Sequence, residues 1–209
     1  IRDAISEGRA IFDNIRKVTN QLLSTNSGDV MFVFLGTLLG GLLYPKVFSG
    51  TDTVVLTAVM ILWVNFASDG PPAIALGEDP KVDGIMERNP REPDEPIIDR
   101  KILSMIAVTG PLAALTMLPI FFMNIGTYVT AQTMLFMGLA FFEISMFQII
   151  RRDYGLHLTD NYWLIAMIGL SSLSHLAVLY YPPLANLFGV TPLGLQQWGL
   201  VIGSLGVFV

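Results

Sequence analysis

The sequence predicts an all-α membrane protein, a six-helix transmembrane bundle with a cytoplasmic stalk on its first helix and an unwound second helix. The composition, the mean hydropathy and the length of the apolar segments predict this fold class. Hydrophobic residues make up 53% of the chain and charged residues only 14%, and the mean hydropathy is +0.60, as in proteins with several membrane spans. The apolar segments are about 20 residues long, the length that a helix needs to cross a bilayer. The chain has no Cys, which excludes disulfides and thiolate metal sites.

The first element is predicted as a single helix of about 40 residues. Residues 1–23 show helical spacing of apolar side chains among charged ones, and from Val30 to Tyr44 the pattern is apolar throughout. Only Gly28 stands between the two parts as a breaker. Such a helix is about 60 Å long at 1.5 Å per residue, twice the thickness of the hydrocarbon core of a bilayer. Residues 1–23 are therefore expected to form a stalk outside the membrane.

Residues 24–209 are predicted to form the transmembrane domain, with polar or proline-containing segments between the spans. The longest of these segments, 77–101, is hydrophilic and is expected to lie in water. The predicted spans are about 24–44, 53–76, 102–123, 131–150, 161–179 and 198–209, of which the last is too short to cross a bilayer. Because both ends of the sequence look cut, we expect it to be part of a longer protein.

The Lys and Arg residues predict the orientation of the spans, because cytoplasmic segments of membrane proteins are enriched in them. With the N-terminus in the cytoplasm, eleven of the twelve Lys and Arg residues fall on the cytoplasmic side, among them Lys17, Arg91 and Arg151. Only Lys46 falls on the far side. A cytoplasmic N-terminus is therefore predicted, in a multi-pass protein of the plasma membrane or an internal membrane.

The second span carries polar side chains and a helix break at membrane depth. Asn65, Ser68 and Asp69 lie within five residues and are followed by the run 70–72, Gly-Pro-Pro. An Asp at the centre of a membrane helix costs about 2.5–3.5 kcal/mol, so its presence indicates a function. Prolines lack the N–H that would close the preceding helical turn, and transporters build cation sites at such broken helices. The alternative is a proline kink whose polar side chains only bond a neighbouring helix.

Further polar residues lie on other spans. Asn26 and Asp29 are three residues apart on the first helix and are expected to share a face, and Glu143 lies midway along the fourth span. Together with the second span, these side chains offer six to nine oxygens, and hard cations such as Ca²⁺ take six to eight. No Lys or Arg at membrane depth pairs with the acids, so they hold either cations or protons. His175 is a ligand, a proton relay, or a side chain bonded to a backbone carbonyl.

With these motifs in view, essentially the whole chain resembles the C-terminal half of the transmembrane domain, helices five to ten, of P-type cation pumps. It is most similar to calcium-transporting ATPases of the sarco/endoplasmic-reticulum type. Residues 7–17 resemble the entry into the fifth helix, 24–29 its ion-binding segment, and 62–70 the unwound sixth helix. Residues 85–91 resemble the loop that follows, and 181–184, 191–193 and 197–198 resemble the extracytoplasmic loop before the tenth helix.

The resemblance implies the site residues, since carboxylates and amides of helices five, six and eight bind the transported ion in this family. Matching by position implies the metal ligands Asn26, Asp29, Asn65, Ser68, Asp69 and Glu143. Calcium pumps usually have Glu where this chain has Asp29 and Thr where it has Ser68, which puts the inner ion site in doubt. The Asp-Gly-Pro-Pro-Ala run is similar to the secretory-pathway branch, which also handles manganese. Asn65 stands where sodium/potassium pumps have an acid and favours calcium.

The implied function is the ion-binding and translocating part of an ATP-driven Ca²⁺ pump that exports or sequesters Ca²⁺ from the cytoplasm. The 209 residues contain no Asp-Lys-Thr-Gly phosphorylation motif, so ATP and Mg²⁺ would act only through other domains, and this stretch alone hydrolyses no ATP. The implied partners are the lipid bilayer, helices one to four and the cytoplasmic domains of the same pump; no nucleic acid is expected. The alternatives are a pump of this class for Mn²⁺, Na⁺ or H⁺, and a stand-alone, non-catalytic membrane subunit or regulator with this fold.

Overall fold

The computed structural model describes residues 1–50, 53–90 and 96–206. In these ranges the regular elements are helices, and the α-helices are α1 Arg2–Leu43, α2 Ala58–Val64, α3 Gly70–Gly77, α4 Arg100–Met123, α5 Tyr128–Arg152, α6 Tyr162–Tyr180, α7 Pro182–Phe188 and α8 Leu195–Leu205. Five helical segments, with 58–77 counted as one, are long and apolar enough to cross a membrane. The predictions that concern Arg91 and the end of the sixth span lie outside the described residues.

Helix α1 is the single long helix that the sequence predicts. Its 42 residues span about 63 Å at 1.5 Å per residue. In its first 30 residues the buried face is polar, with Asn14, Lys17, Gln21, Thr25 and Asp29 turned inward at spacings of three or four residues. Polar side chains that are buried in this way need partners inside the bundle.

The interruption of the second span takes the form of a π-helical segment, Asn65–Asp69, between α2 and α3. The sequence predicts that the helix unwinds fully here, whereas the structure has a wider helical turn. Pro71 has no N–H for the carbonyl group of Ala67 four residues earlier, so the regular ladder cannot continue. A wider turn accommodates the loss, and such turns are frequent at functional sites. The span begins at Ala58 rather than near residue 53.

Two further differences concern the termini of later elements. Helix α5, Tyr128–Arg152, is longer at both ends than the predicted 131–150. The segment predicted as the loop 180–197 contains α7, which starts at the pair Pro182 and Pro183. The two prolines favour a loop in the sequence, but the first positions of a helix need no N–H donor and accept proline readily.

Helix α5 is the central element of the bundle and contacts α1, α4, α6 and α8. Its side chains Phe136 and Phe142 are fully buried, and they belong to one hydrophobic cluster with Phe32 of α1, Met60 of α2 and Phe121 of α4. Helix α4 packs along α1. The interrupted span therefore lies against both α1 and α5.

Gly110 allows α4 to approach the backbone of α1. A Cβ atom at Gly110 would lie 2.8 Å from Oγ and 3.1 Å from the carbonyl oxygen of Ser27.

The Gly110→Ala variant is expected to lose about 1–3 kcal/mol of unfolding free energy, because the backbones must separate. Gly169→Ala in α6, where a Cβ atom meets nothing within 4 Å among the described residues, is the matched control and should be neutral or stabilising. Thermal unfolding of the full-length protein in detergent measures both; equal midpoints would contradict the close approach.

Asp99 caps the N-terminus of α4. Its Oδ1 accepts a hydrogen bond of 2.9 Å from the N–H of Ile102, and its Oδ2 pairs with Arg16 of α1. The Ile102 N–H and, to a smaller extent, the Arg16 guanidinium hold the pKa of Asp99 below its usual value. The Asp99→Ala variant is expected to lose about 1 kcal/mol of stability. Asp99→Asn should lose less, because an amide oxygen still accepts the capping hydrogen bond.

The lowered pKa of Asp99 gives its contribution a pH dependence. A carboxyl group whose pKa is lower in the folded state binds fewer protons there, so stability rises with pH between the two pKa values. The stabilisation is therefore expected to be complete above the ordinary Asp pKa of about 3.9 and to disappear as the pH falls through the folded value. Unfolding midpoints of wild type and Asp99→Asn at neutral and acid pH should converge on the acid side; a constant difference would contradict this origin.

Candidate cation-binding site

Asp29 of α1 and Asn65 of the π-helical segment face each other across the helix interface. The Asn65 Nδ2 group donates a hydrogen bond of 3.0 Å to Oδ2 of Asp29 and one of 2.9 Å to the carbonyl oxygen of Ile61. Asp29 is 6% exposed, and its Oδ1 is buried without a hydrogen-bond partner in the described residues. One carboxylate oxygen of Asp29 is therefore held in place, and the other is free to bind a cation.

Asp69 lies at the end of the π-helical segment, directly before Gly70, and is 3% exposed. Thr25 of α1 places its Oγ1 at 3.4 Å from both carboxylate oxygens of Asp69. The Thr25 hydroxyl also donates to the carbonyl oxygen of Gln21 at 2.9 Å, so its contact with Asp69 is the longer one. Asp69 thus points at α1, the helix that also carries Asp29.

Glu143 of α5 is fully buried. Neither of its carboxylate oxygens has a hydrogen-bond partner in the described part of the chain, although the charges of Asp69 and Asp29 act on it. The Gln21 Nε2 group donates a hydrogen bond of 3.0 Å to the backbone carbonyl oxygen of Glu143 and so holds the backbone at this position. The three carboxylates of Asp29, Asp69 and Glu143 are named the acidic site below.

The acidic site has no basic counter-charge. Within residues 1–50, 53–90 and 96–206, none of its carboxylates forms an ion pair with Lys or Arg. It is also not a closed metal cage, since no three His, Cys, Asp or Glu side chains in these ranges are already placed around one ion. A bound cation would therefore also need amide, hydroxyl or carbonyl oxygens, or a small movement of the helices.

Ser68 faces a different neighbour from the other predicted ligands. It is fully buried, and its Oγ lies 3.4 Å from Nε2 of His175 on α6. The other ring nitrogen of His175, Nδ1, lies 2.9 Å from the carbonyl oxygen of Ser171. The backbone-bonded alternative for His175 is therefore confirmed, and the same ring also reaches a predicted ligand.

Asn26 does not join the acidic site in the described structure. Its side chain is exposed, and its Nδ2 donates 2.6 Å to the carbonyl oxygen of Leu22 on its own helix. The expectation that Asn26 and Asp29 share a face is thus not met. Asn26 lies about 60° from Asp29 around the helix, on the side away from the buried residues Gln21 and Thr25. Asp29 lies on the buried stripe of α1, and Asn26 lies just beyond its edge.

Gln21 and Thr25 are functional candidates that the sequence analysis missed. They precede Asp29 by eight and four residues, so all three lie on one helix face. That spacing of polar residues was readable in the sequence. Neither side chain is charged, however, and a hydroxyl or amide on a membrane helix is a weaker signal than a carboxylate.

A second polar cluster lies beyond the end of α3. Oδ2 of Asp79 accepts hydrogen bonds from Nζ of Lys17 at 2.7 Å and from Nε of Arg151 at 2.9 Å. Its Oδ1 accepts one of 2.8 Å from Nδ2 of Asn161. The side chains of Lys17, Asp79 and Arg151 have no exposed surface. This Asp79 cluster joins α1, α3, α5 and α6.

The segment 77–101 is less solvated than expected. Asp79 and Ile85 are only 5% and 6% exposed, so these two residues pack against the rest of the protein and are not solvated. Arg9 of α1 donates to the carbonyl oxygens of Ile85 and Arg88 at 2.7 and 2.9 Å. Arg9 thus binds the segment that follows α3, in addition to carrying a positive charge.

Fold and site together define a multi-pass helical membrane protein with acidic groups buried where an interrupted helix meets two others. Residues 53–209 match the family model described as "Cation transporting ATPase, C-terminus". The chain therefore belongs to the P-type cation-transporting ATPases and corresponds to their C-terminal transmembrane region. The predicted family and fold class are confirmed.

Relatives extend the similarity to the first helix. The chain is 33% identical over 214 residues to the calcium-transporting ATPase of Bacillus subtilis (strain 168), an alignment that covers 99% of this chain and 23% of the relative. It is 30% identical over 221 residues to calcium-transporting ATPase 1 of Bacillus cereus (strain ATCC 10987 / NRS 248), covering 95% of this chain and 24% of that protein. The chain spans about a quarter of the length of these relatives.

Proposed function

We propose that this chain is the ion-binding and translocating membrane part of an ATP-driven Ca²⁺ pump that removes Ca²⁺ from the cytoplasm. The observation that carries the proposal is the acidic site, three buried carboxylates without a basic partner beside an interrupted membrane helix. Carboxylates that keep no counter-charge in a low-dielectric interior need a cation or a proton. The two relatives named as calcium-transporting ATPases support Ca²⁺ as that cation.

The ligand set suits a hard cation. Asp29 and Glu143 have carboxylate oxygens without hydrogen-bond partners in the described residues, and these can turn to an ion without breaking an existing bond. Asn65 and Ser68 add an amide and a hydroxyl oxygen. Asp69 ends the π-helical segment, in which the carbonyl groups of Ala67 and Ser68 cannot bond to the prolines four residues later. Ca²⁺ takes six to eight oxygens in flexible geometry, so a partly formed set that completes itself on binding is compatible with transport.

The remainder of the proposal concerns the whole pump. Residues 1–23 would form a cytoplasmic stalk that carries movement from domains using ATP and Mg²⁺ to the acidic site. Transport would then alternate between two arrangements of the helices, with the ion site facing opposite sides in turn. The partners would be helices one to four and the cytoplasmic domains of the same protein, with the bilayer around them.

Ion-dependent ATP hydrolysis tests the proposal. The full-length protein that contains this chain is purified, placed in lipid vesicles and assayed with Ca²⁺, Mn²⁺ and Na⁺ separately, and the uptake of the activating ion is followed. Ca²⁺ is expected to activate hydrolysis and to accumulate in the vesicles. Activation by Na⁺ alone would contradict the choice of ion. A full-length protein without ATPase activity under any of these ions would instead support the subunit or regulator.

A further inference from the structure

His175 of α6 reaches the interrupted span at Ser68, the neighbour of Asp69. The ring is fully buried and lies with its centroid 5.8 Å from that of Phe136. A backbone carbonyl oxygen only accepts hydrogen bonds, so the Nδ1 atom, 2.9 Å from the Ser171 oxygen, carries the ring hydrogen. The Nε2 atom of the neutral ring is then an acceptor. The Ser68 hydroxyl, 3.4 Å away, is its donor.

The direction of this hydrogen bond decides what the Ser68 oxygen offers to the rest of the site. A serine hydroxyl has one hydrogen and two lone pairs. When the hydrogen points to His175, both lone pairs are directed elsewhere. The Ser68 hydroxyl also acts electrostatically on the Glu143 carboxylate, although the two form no hydrogen bond in the described structure. Without an acceptor in α6, the hydroxyl hydrogen would turn to the Glu143 carboxylate. The Ser68 oxygen and that carboxylate would then be bonded to each other and less available to an ion.

We propose that His175 is a positioning residue: it takes the Ser68 hydroxyl hydrogen and thereby makes the Ser68 oxygen a ligand for the transported cation. This inference rests on the proposed function. The imidazole itself is not a ligand in this arrangement, since Nδ1 is bonded to Ser171 and Nε2 to Ser68. The role links α6, which carries none of the six predicted site residues, to the ion site of the interrupted span.

The experiment is a double-mutant cycle in the full-length pump, read as the ion concentration for half-maximal ATPase activation. His175→Leu is expected to raise this concentration about three- to tenfold, the equivalent of one hydrogen bond, with the maximal rate unchanged within about twofold. Ser68→Ala should have a similar effect. In the Ser68→Ala background, His175→Leu should add nothing, because the partner through which it acts is gone. Ser172→Ala is the control for hydroxyl removal, because in the described residues the Ser172 hydroxyl bonds only the Ile168 carbonyl of its own helix.

His175→Gln separates positioning from packing. Its amide oxygen can still accept the Ser68 hydrogen, so affinity should recover most of the loss seen with leucine, even if leucine impairs folding. Equal losses with Gln and Leu, or an additive loss in the Ser68→Ala background, would overturn the inference. Asp69→Asn is measured in parallel. Normal ion dependence in Asp69→Asn would overturn the proposed function itself, whereas lost dependence there with unchanged affinity in His175→Leu would overturn only the role of His175.

Discussion

Replacing Asp69 by Asn is expected to abolish ion-dependent phosphorylation of the full-length pump by ATP. The substitution keeps the size of the side chain and its contact with Thr25, but it removes one of three negative charges in the acidic site. Asp69 is almost completely buried, so no solvent replaces the lost ligand. A divalent ion that leaves water for a low-dielectric site depends on such charges, and the loss should exceed that of any other single change at the site.

The measurement is phosphoenzyme formation against ion concentration. Asp153→Asn is a suitable control, because Asp153 pairs with Lys101 at 3.1 Å at a position where both side chains are at least 38% exposed. Removal of this exposed charge should leave ion dependence unchanged, since surface pairs contribute little. An Asp69→Asn pump with the calcium affinity of the wild type would refute the assignment of the acidic site.

The second large effect is expected at the Asp79 cluster, where Asp79→Ala should lower the unfolding free energy by about 3–5 kcal/mol. The Asp79 carboxylate is the shared partner of Lys17 and Arg151, and the side chains of all three residues are shielded from solvent. Its removal leaves two buried cations, Lys17 and Arg151, which have no other ion-pair partner in the described residues. It also removes the bond from Asn161, which itself caps α6 by accepting from the N–H of Leu164.

Thermal unfolding in detergent measures the loss, with Glu7→Ala as control because Glu7 pairs with Lys81 at an exposed position. The control should change stability by less than about 1 kcal/mol. A triple variant, with Lys17, Asp79 and Arg151 all replaced by apolar residues of similar volume, should recover much of the loss, because it removes the buried charges together. A triple variant as unstable as Asp79→Ala would show that the cluster contributes through something other than charge pairing.

The two predictions are connected through α3. Asp79 follows Asp69 by ten residues, and the intervening helix Gly70–Gly77 joins the Asp79 cluster to the acidic site. Asn14 also binds this end of the span, donating to the carbonyl oxygens of Gly77 and Asp79 at 2.9 and 3.0 Å. One end of α3 is thereby attached to α1, while the other borders Asp69 of the acidic site. A displacement of α1 would therefore be transmitted to Asp69.

The sequence by itself determined the features that depend on neighbours along the chain. The long first helix follows from a helical apolar pattern without a proline, and the interruption near Asn65 follows from Pro71 and Pro72. The acidic residues were recognisable because a carboxylate is rarely placed at membrane depth without a function. The mild form of the interruption was not predicted, since whether a turn widens or unwinds depends on the helices packed against it.

Only the tertiary structure decided which polar groups meet. Asn65 and Asp29 are 36 residues apart in the chain, and Ser68 and His175 are 107 apart, so no local spacing relates them. The exposure of Asn26 and the burial of Lys17 and Arg151 were likewise decided by packing. A residue's position on its helix gives the direction of the side chain, but the identity of the neighbour depends on how the helices are arranged, and that is settled by long-range contacts.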